Sequence, residues 1–245
     1  MDRLLEATAR AERDHFWFRG FRRFVVPMLA EAVARRTDVR MLDCGCGTGN
    51  NLALLRGYGR AVGIDLTWTG LAFAHGRGER AVARASATTL PFADASFDVV
   101  TSFDVIYALE DVDESAALAE MFRVLGPGGH LVINVAAMDL LKGNHSVLAG
   151  EVRRYSRASL SGRLQAHGFE VRRITYTNAT ILPIVLGVRL LQRVAGHEES
   201  QDEITIPAAP INLALSGALA LEAAVLRVVN MPFGSSLLAL ARKPG

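Results

Sequence analysis

Residues 41–50, MLDCGCGTGN, place an aspartate at the end of an apolar run and follow it with three glycines and two cysteines. A nucleotide-triphosphatase cradle requires lysine and then serine or threonine after the last glycine, but Gly49 is followed by Asn50 and Asn51. A dinucleotide fingerprint shares the order strand, glycine turn, helix; here the third glycine is missing at its offset. The remaining reading joins Asp43 to Asp65, the acid that closes the next apolar run in AVGIDL, 61–66. In a doubly wound sheet both acids emerge at one edge, where bare backbone approaches a ligand and Asp65 accepts from ribose hydroxyls. Asp43 would repel a phosphate but suits a cationic nucleoside. Glycines that merely turn the chain in an apolar core leave two acids at successive strand ends unexplained.

Outward from this turn, VRMLDCG (39–45), AVGIDL (61–66), FDVVTSFDV (97–105) and HLVINVAA (130–137) are short apolar runs separated by helix-length segments. Such runs predict strands buried on both faces, in an α/β, doubly wound parallel sheet between helix layers. GFEVRRITYTN (168–178) alternates and predicts a strand nearer the edge, and SSLLALARKP (235–244) a final one. Residues 1–36 read as an N-terminal helical cap, with Pro27 interrupting or opening a second helix. Residues 37–137 form the cofactor-binding core, and 179–230 an apolar helical insert before the last strand, all within a single domain, 1–245.

Half the residues are hydrophobic, enough for one substantial core, and the net charge is +2, which gives no reason to expect nucleic acid. Lys142 and Lys243 are the only lysines, so arginine carries the positive charge. Cys44 and Cys46 are too close for an ordinary disulfide and too few for zinc; they read as buried packing residues in a reducing cytoplasm, with no metal. The first residues lack a secretory signal pattern. The insert runs 180–195 and 211–229 are apolar but carry Arg189, Arg193, Glu222 and Arg227, which favours packed helices over a bilayer crossing.

The stretch D-x-G-C-G-T-G, with LPFADASFDVV (90–100) and RVLGPGGHLVINV (123–135) in order behind it, resembles the class I S-adenosylmethionine-dependent methyltransferases over residues 39–137. The resemblance implies a Rossmann-like sheet of seven strands, the last antiparallel, with S-adenosylmethionine as cofactor. It implies that Asp43, Gly45, Cys46, Gly47 and Gly49 wrap the methionine part, that Asn51 also binds cofactor, that Asp65 binds ribose, and that Leu66 lies against adenine. Relatives often carry an acid and alanine before LPF; Ser86 and Ala87 stand here, and serine also accepts a hydrogen bond. Phe103 and Asp104 sit where relatives line the cofactor.

Methyl transfer from a sulfonium is an in-line displacement in which alignment and removal of water do much of the work, and a base helps when the nucleophile is protonated. KGNHSVLAGEVRRYSRASL (142–160) resembles an extension in a bacterial subgroup: His145 is the candidate base, Arg153, Arg154 and Tyr155 a clamp for carboxylate or phosphate, and Tyr107 a second catalytic candidate. Each has a plainer reading as loop, helix start or core ring. His15 and Trp17, in DHFWFRGFRRF (14–24), are candidates for the acceptor pocket or for simple helix docking. The expected function is methyl transfer to a small-molecule or lipid-like acceptor, with no transmembrane span, peripheral membrane contact and a homodimer open. A nicotinamide-dependent oxidoreductase and a non-catalytic cofactor-binding scaffold are the alternatives.

Overall fold

The computed structural model describes residues 2–34, 36, 38–139, 150–187 and 204–245. The four core runs become parallel neighbours: β1 (Val39–Cys44), β2 (Gly59–Asp65), β4 (Phe97–Phe103) and β5 (Leu125–Ala136). With β3 (Val82–Arg84), β6 (Glu170–Thr177) and β7 (Ser236–Arg242) they form one seven-stranded sheet in the order β3-β2-β1-β4-β5-β7-β6. The final strand, β7, runs antiparallel between β5 and β6. The order reverses between β1 and β4, so the loops after β1, β2 and β4 open into one crevice at the carboxyl edge.

Helices cover both faces because the central strands bury side chains on both sides. On one face lie α1 (Asp2–Ala11), α2 (Phe16–Val33), α3 (Leu52–Leu55), α4 (Trp68–Gly76) and, after a long interval, α7 (Ala209–Val225). Met28, Leu29, Met41, Leu52, Leu55, Val99, Leu219 and Leu238 form the core there. On the other face α5 (Asp111–Val124) and α6 (Arg157–Ala166) pack Leu118, Met121, Leu160 and Leu164 against Leu42, Val100, Leu131 and Ile133.

Two sequence expectations, at Pro27 and at the start of β5, need correction, and the structure adds β3 and a helix cap. Pro27 neither interrupts nor opens a helix: α2 runs through it, and the break lies at residues 12–15. An interior proline costs about 3 kcal/mol, whereas burial of Phe24, Val25, Met28 and Leu29 contributes roughly 1.5–3 kcal/mol each, so packing wins. The three-residue β3 escapes a periodicity reading because it is too short to alternate. Strand β5 begins at Leu125, five residues before the predicted run, and the GPGG segment enters the ladder beside a register shift at Phe97/Val99. Ser156 and Ser159 close a reciprocal capping box on α6, Ser159 Oγ replacing the usual longer acid.

Candidate cofactor and acceptor site

The glycine turn leaves β1 with Gly45, Gly47 and Gly49 all at positive φ. Gly45 and Gly49 are also demanded by packing: a Cβ at Gly45 would lie 2.2 Å from Val105 Cγ2, and one at Gly49 2.9 Å from Ala74 Cβ. Gly47 differs, because a Cβ there would meet nothing nearer than Leu5 Cδ2 at 3.7 Å. The turn therefore presents bare backbone at one point and is clamped on either side of it. Cys44 and Cys46 are buried and free, and Cys46 Sγ packs under Gly63. Burial first, then the nearby carboxylates, pushes both thiols well above the ordinary range, so they are packing residues.

Asp43 and Asp65 flank this backbone. Asp43 is 1% exposed; its Oδ1 accepts from Thr101 Oγ1 at 2.7 Å, while Oδ2 is buried without a partner. Burial raises its pKa to about 7, against the Thr101 bond and with help from Asp65. Asp65 is half-buried and accepts from Gly47 N, Thr67 N and Thr67 Oγ1 at 2.8, 2.8 and 2.6 Å. A carboxylate has about four acceptor positions, so Asp65 braces the turn with capacity left. Beyond it, Leu66 (60% exposed) and Trp68 (68%) form an open apolar rim, and Arg84 sits 5.3 Å over the Trp68 ring while donating to Leu66 O.

The N-terminal helices reach this turn through one buried acid. Glu12, in the elbow between α1 and α2, accepts from Thr48 Oγ1 at 2.8 and 2.9 Å and pairs with Arg77, which also donates to Thr48 O. Arg22 of α2 donates to Asn50 Oδ1. His15 caps α2, its Nδ1 accepting from Trp17 N at 3.2 Å; burial lowers its pKa.

On the acceptor side, β4 ends at Asp104, which has φ +59. Its N–H donates to Asn134 O (3.0 Å) and its Oδ1 accepts from Asn134 Nδ2 (2.8 Å). Asp104 is open to solvent yet densely surrounded by protein; this surrounding raises its pKa to about 7, the Asn134 bond opposing and Glu151 adding. Tyr107 is half-buried beside Asp104, Glu151 and Arg154, and burial pushes its phenol up.

The family described as methyltransferase domain matches residues 42–133. The chain is 41% identical over 108 residues to a demethylmenaquinone methyltransferase of Beutenbergia cavernae, covering 42% of this chain and 43% of that one. It is 33% identical over 162 residues to a probable S-adenosylmethionine-dependent methyltransferase of Mycolicibacterium smegmatis, covering 64% of this chain and 61% of that one. This chain carries a class I S-adenosylmethionine-dependent methyltransferase domain. It spans less than two thirds of either relative's length. In fold it is similar to a putative methyltransferase of Haloferax volcanii, solved in complex with the Trm112 methyltransferase activator, with TM-score 0.62, 20% identity and 98% of both chains covered.

The residues of this methyltransferase domain fit its cofactor on two observations: an orphaned, buried carboxylate oxygen at Asp43, and an open backbone position at Gly47. A diphosphate would bring negative charge onto that carboxylate. The predicted cofactor residues are brought to one edge. Gly45, Cys46, Gly47, Gly49 and Asn51 make the turn, Asn51 heading α3 without a side-chain cap bond. Asp65 and Leu66 end β2, and Ser86 and Ala87 follow β3, where Ser86 Oγ is engaged with Thr88 Oγ1 at 2.8 Å. Phe103 is buried edge-on to Phe21 of α2, 5.0 Å between centroids, and Asp104 follows it.

The acceptor set is more scattered. Tyr155 is a correction: its ring is 2% exposed in the core, unreachable for a ligand, because Tyr155 N bonds Ala136 O and draws the segment against β5. Arg153 pairs with buried Glu114 and with Asp111, and Arg154 forms a fork on Glu151 at 2.8 and 3.0 Å. Trp17 packs on the α2-side core and the His15 ring stacks on Phe16. His145 lies outside the described residues. Sequence reading passed over Glu12, Trp68 and Asn134. Only Asn134 carried a signal, as a polar residue inside an otherwise apolar strand; Glu12 looks like any helix-surface acid. Among the described residues no His, Cys, Asp and Glu cluster could hold a metal ion, and no helix is long and apolar enough to cross a membrane.

Proposed function

We propose that this chain transfers a methyl group from S-adenosylmethionine to a small-molecule or lipid-like acceptor in the cytoplasm. One observation carries the reading: the buried Asp43 carboxylate, with an oxygen lacking any partner, stands near the end of the strand that leads into the bare backbone turn at Gly47. A cationic ligand would offset the desolvation of that carboxylate, which an anionic dinucleotide would aggravate. When bound, the cofactor supplies an electrophilic methyl on a sulfonium. The chain's part is to hold, orient and dry the site: Asp65 accepts from the ribose hydroxyls, the Gly47 backbone lies against the methionine part, and Leu66 and Trp68 flank the adenine. Tyr107 walls the acceptor side, with His145 and the Arg154–Glu151 fork as further candidates there.

The named acceptors of relatives, demethylmenaquinone in Beutenbergia cavernae and malonyl-[acyl-carrier protein] in Erwinia billingiae, support a small or lipid-like acceptor for this chain without distinguishing between them. The exposed apolar side chains of α7, Leu213, Leu221 and Val225, are the surface proposed for a homodimer or for contact with a membrane that carries such an acceptor. Thermal shift tests the cofactor half: S-adenosylhomocysteine raises the melting temperature by mass action and nicotinamide dinucleotides do not. Stabilisation by the dinucleotide instead would return the oxidoreductase reading. Label transfer from methyl-labelled S-adenosylmethionine by the purified chain separates an enzyme from a scaffold.

A further inference from the structure

Asp104 is held in a way that cofactor binding does not require. It adopts a left-handed backbone conformation that a non-glycine residue rarely takes, and such strain persists where the surroundings over-determine it. Two hydrogen bonds from Asp104 to one residue, Asn134 on the neighbouring strand, do so here: N–H to Asn134 O and Oδ1 from Asn134 Nδ2. Asn134 is 3% exposed, and its own Oδ1 is buried without a partner. An asparagine kept in an apolar strand with half its amide unsatisfied is there to orient something. Asn134 Nδ2 engages Oδ1 of Asp104, and Asp104 is exposed to solvent.

We propose that Asp104 is the proton-accepting carboxylate of the acceptor pocket, positioned by Asn134, and that the acceptor therefore attacks through a proton-bearing nucleophile, a hydroxyl or a neutral amine. This rests on the methyl-transfer reading above. The nucleophile's lone pair forms the bond to the methyl carbon while the carbon–sulfur bond breaks and leaves its electron pair on sulfur, and the nucleophile's proton passes to Asp104. One cation and one carboxylate become a neutral thioether and a carboxylic acid, so charge and atoms balance.

The surroundings match that role. Asn134 faces Asp104 from β5 and Glu151 from the segment before α6, while Tyr107, in the turn after β4, neighbours Asp104, Glu151 and Arg154. Glu151 is held by Arg154 in a two-bond fork. The protein packed around the solvent-facing Asp104 carboxyl raises its pKa to about 7, where a base is both ionised and basic enough to act.

The test uses the purified full chain, methyl-labelled S-adenosylmethionine, and two acceptor sources: a panel of phenols, hydroquinones and alkylamines, and a chloroform–methanol extract of bacterial cells. Wild type labels a product, with a rate that rises as pH passes through about 7. Asp104→Asn lowers the rate by about 100-fold or more, the usual span of a lost general base, well beyond any accompanying fall in S-adenosylhomocysteine affinity. Asn134→Leu removes the donor that favours the charged carboxylate, so it moves the acidic limb of the profile to higher pH. No labelled product from wild type overturns the transfer reading and this one with it. Asp104→Asn at wild-type rate, or a loss of rate matched by loss of S-adenosylhomocysteine affinity, overturns the proton-accepting role alone. Should Asp104→Asn not fold, an unmoved limb in Asn134→Leu overturns it.

Discussion

Asp43 carries the sharpest consequence at the scale of a single residue. Its pKa is raised to about 7 in the folded chain, so between about pH 4 and 7 the folded state holds a proton that the unfolded state has released. Stability is then greatest in acid and falls as pH rises to about 7, by on the order of 4 kcal/mol for a shift of this size. Asp104, raised to the same value, acts in the same direction. We expect the melting temperature of the unliganded protein to fall across this range and Asp43→Asn to flatten part of the fall, measured by calorimetry in a pH series. The cation reverses the preference: it favours ionised Asp43, so S-adenosylmethionine binding tightens as pH rises toward 7 and releases a proton, visible as a buffer-dependent binding enthalpy. Asp65→Ala should weaken cofactor affinity by about 1–3 kcal/mol, the worth of hydrogen bonds to a charged group, and unchanged affinity in a folded variant removes Asp65 from the ribose. Both acids were legible from the sequence because their position at strand ends is a local fact. Their charge state was not, since it depends on Thr101 and on burial beneath other elements.

At the scale of elements, the N-terminal elbow and the glycine turn behave as one piece. Glu12 is buried and answers Thr48 and Arg77 at once, so Glu12→Ala leaves two polar groups without their partner. The expected loss is about 1–3 kcal/mol, with faster amide exchange across α1 and weaker S-adenosylhomocysteine binding; unaltered exchange in α1 would mean the tie is idle. Gly45→Ala should be worse than Gly47→Ala for folding, because the first drives a methyl into Val105 and the second meets only Leu5 at ordinary contact distance. Thermal melts of the two variants decide it. Helix and strand types followed from apolar spacing, which is why β1, β2, β4 and β5 were all readable. The course of α2 through Pro27 was not, because the residues that outweigh the proline belong to a face whose partner lies elsewhere in the chain.

Across the whole molecule, the chain closes on itself between its beginning and its end. Leu219 of α7 packs into Gly20 of α2, Asn212 bonds Phe16 N and Asp14 O, and Glu222 holds Ala179 N, Thr180 N and Thr180 Oγ1. Leu219→Ala should cost about 2–5 kcal/mol and lower the melting temperature by roughly 5–15 °C in a chain of this size, while S-adenosylhomocysteine affinity in the folded protein stays unchanged. Loss of that affinity would mean α7 supports the site through α2. Arg153, read from sequence as a substrate clamp, shows the same long-range logic: Glu114, on α5, claims it. The four central strands, the glycine turn and the pair of acids were written in the sequence, because hydrophobic period, backbone freedom and charge at a strand end act over a few residues. Which polar groups meet was decided only on folding: Glu12 with Thr48, Asp104 with Asn134, Arg153 with Glu114. Those pairings join residues far apart in the chain, and a buried polar group takes whichever partner the packed sheet and helices bring within hydrogen-bond reach.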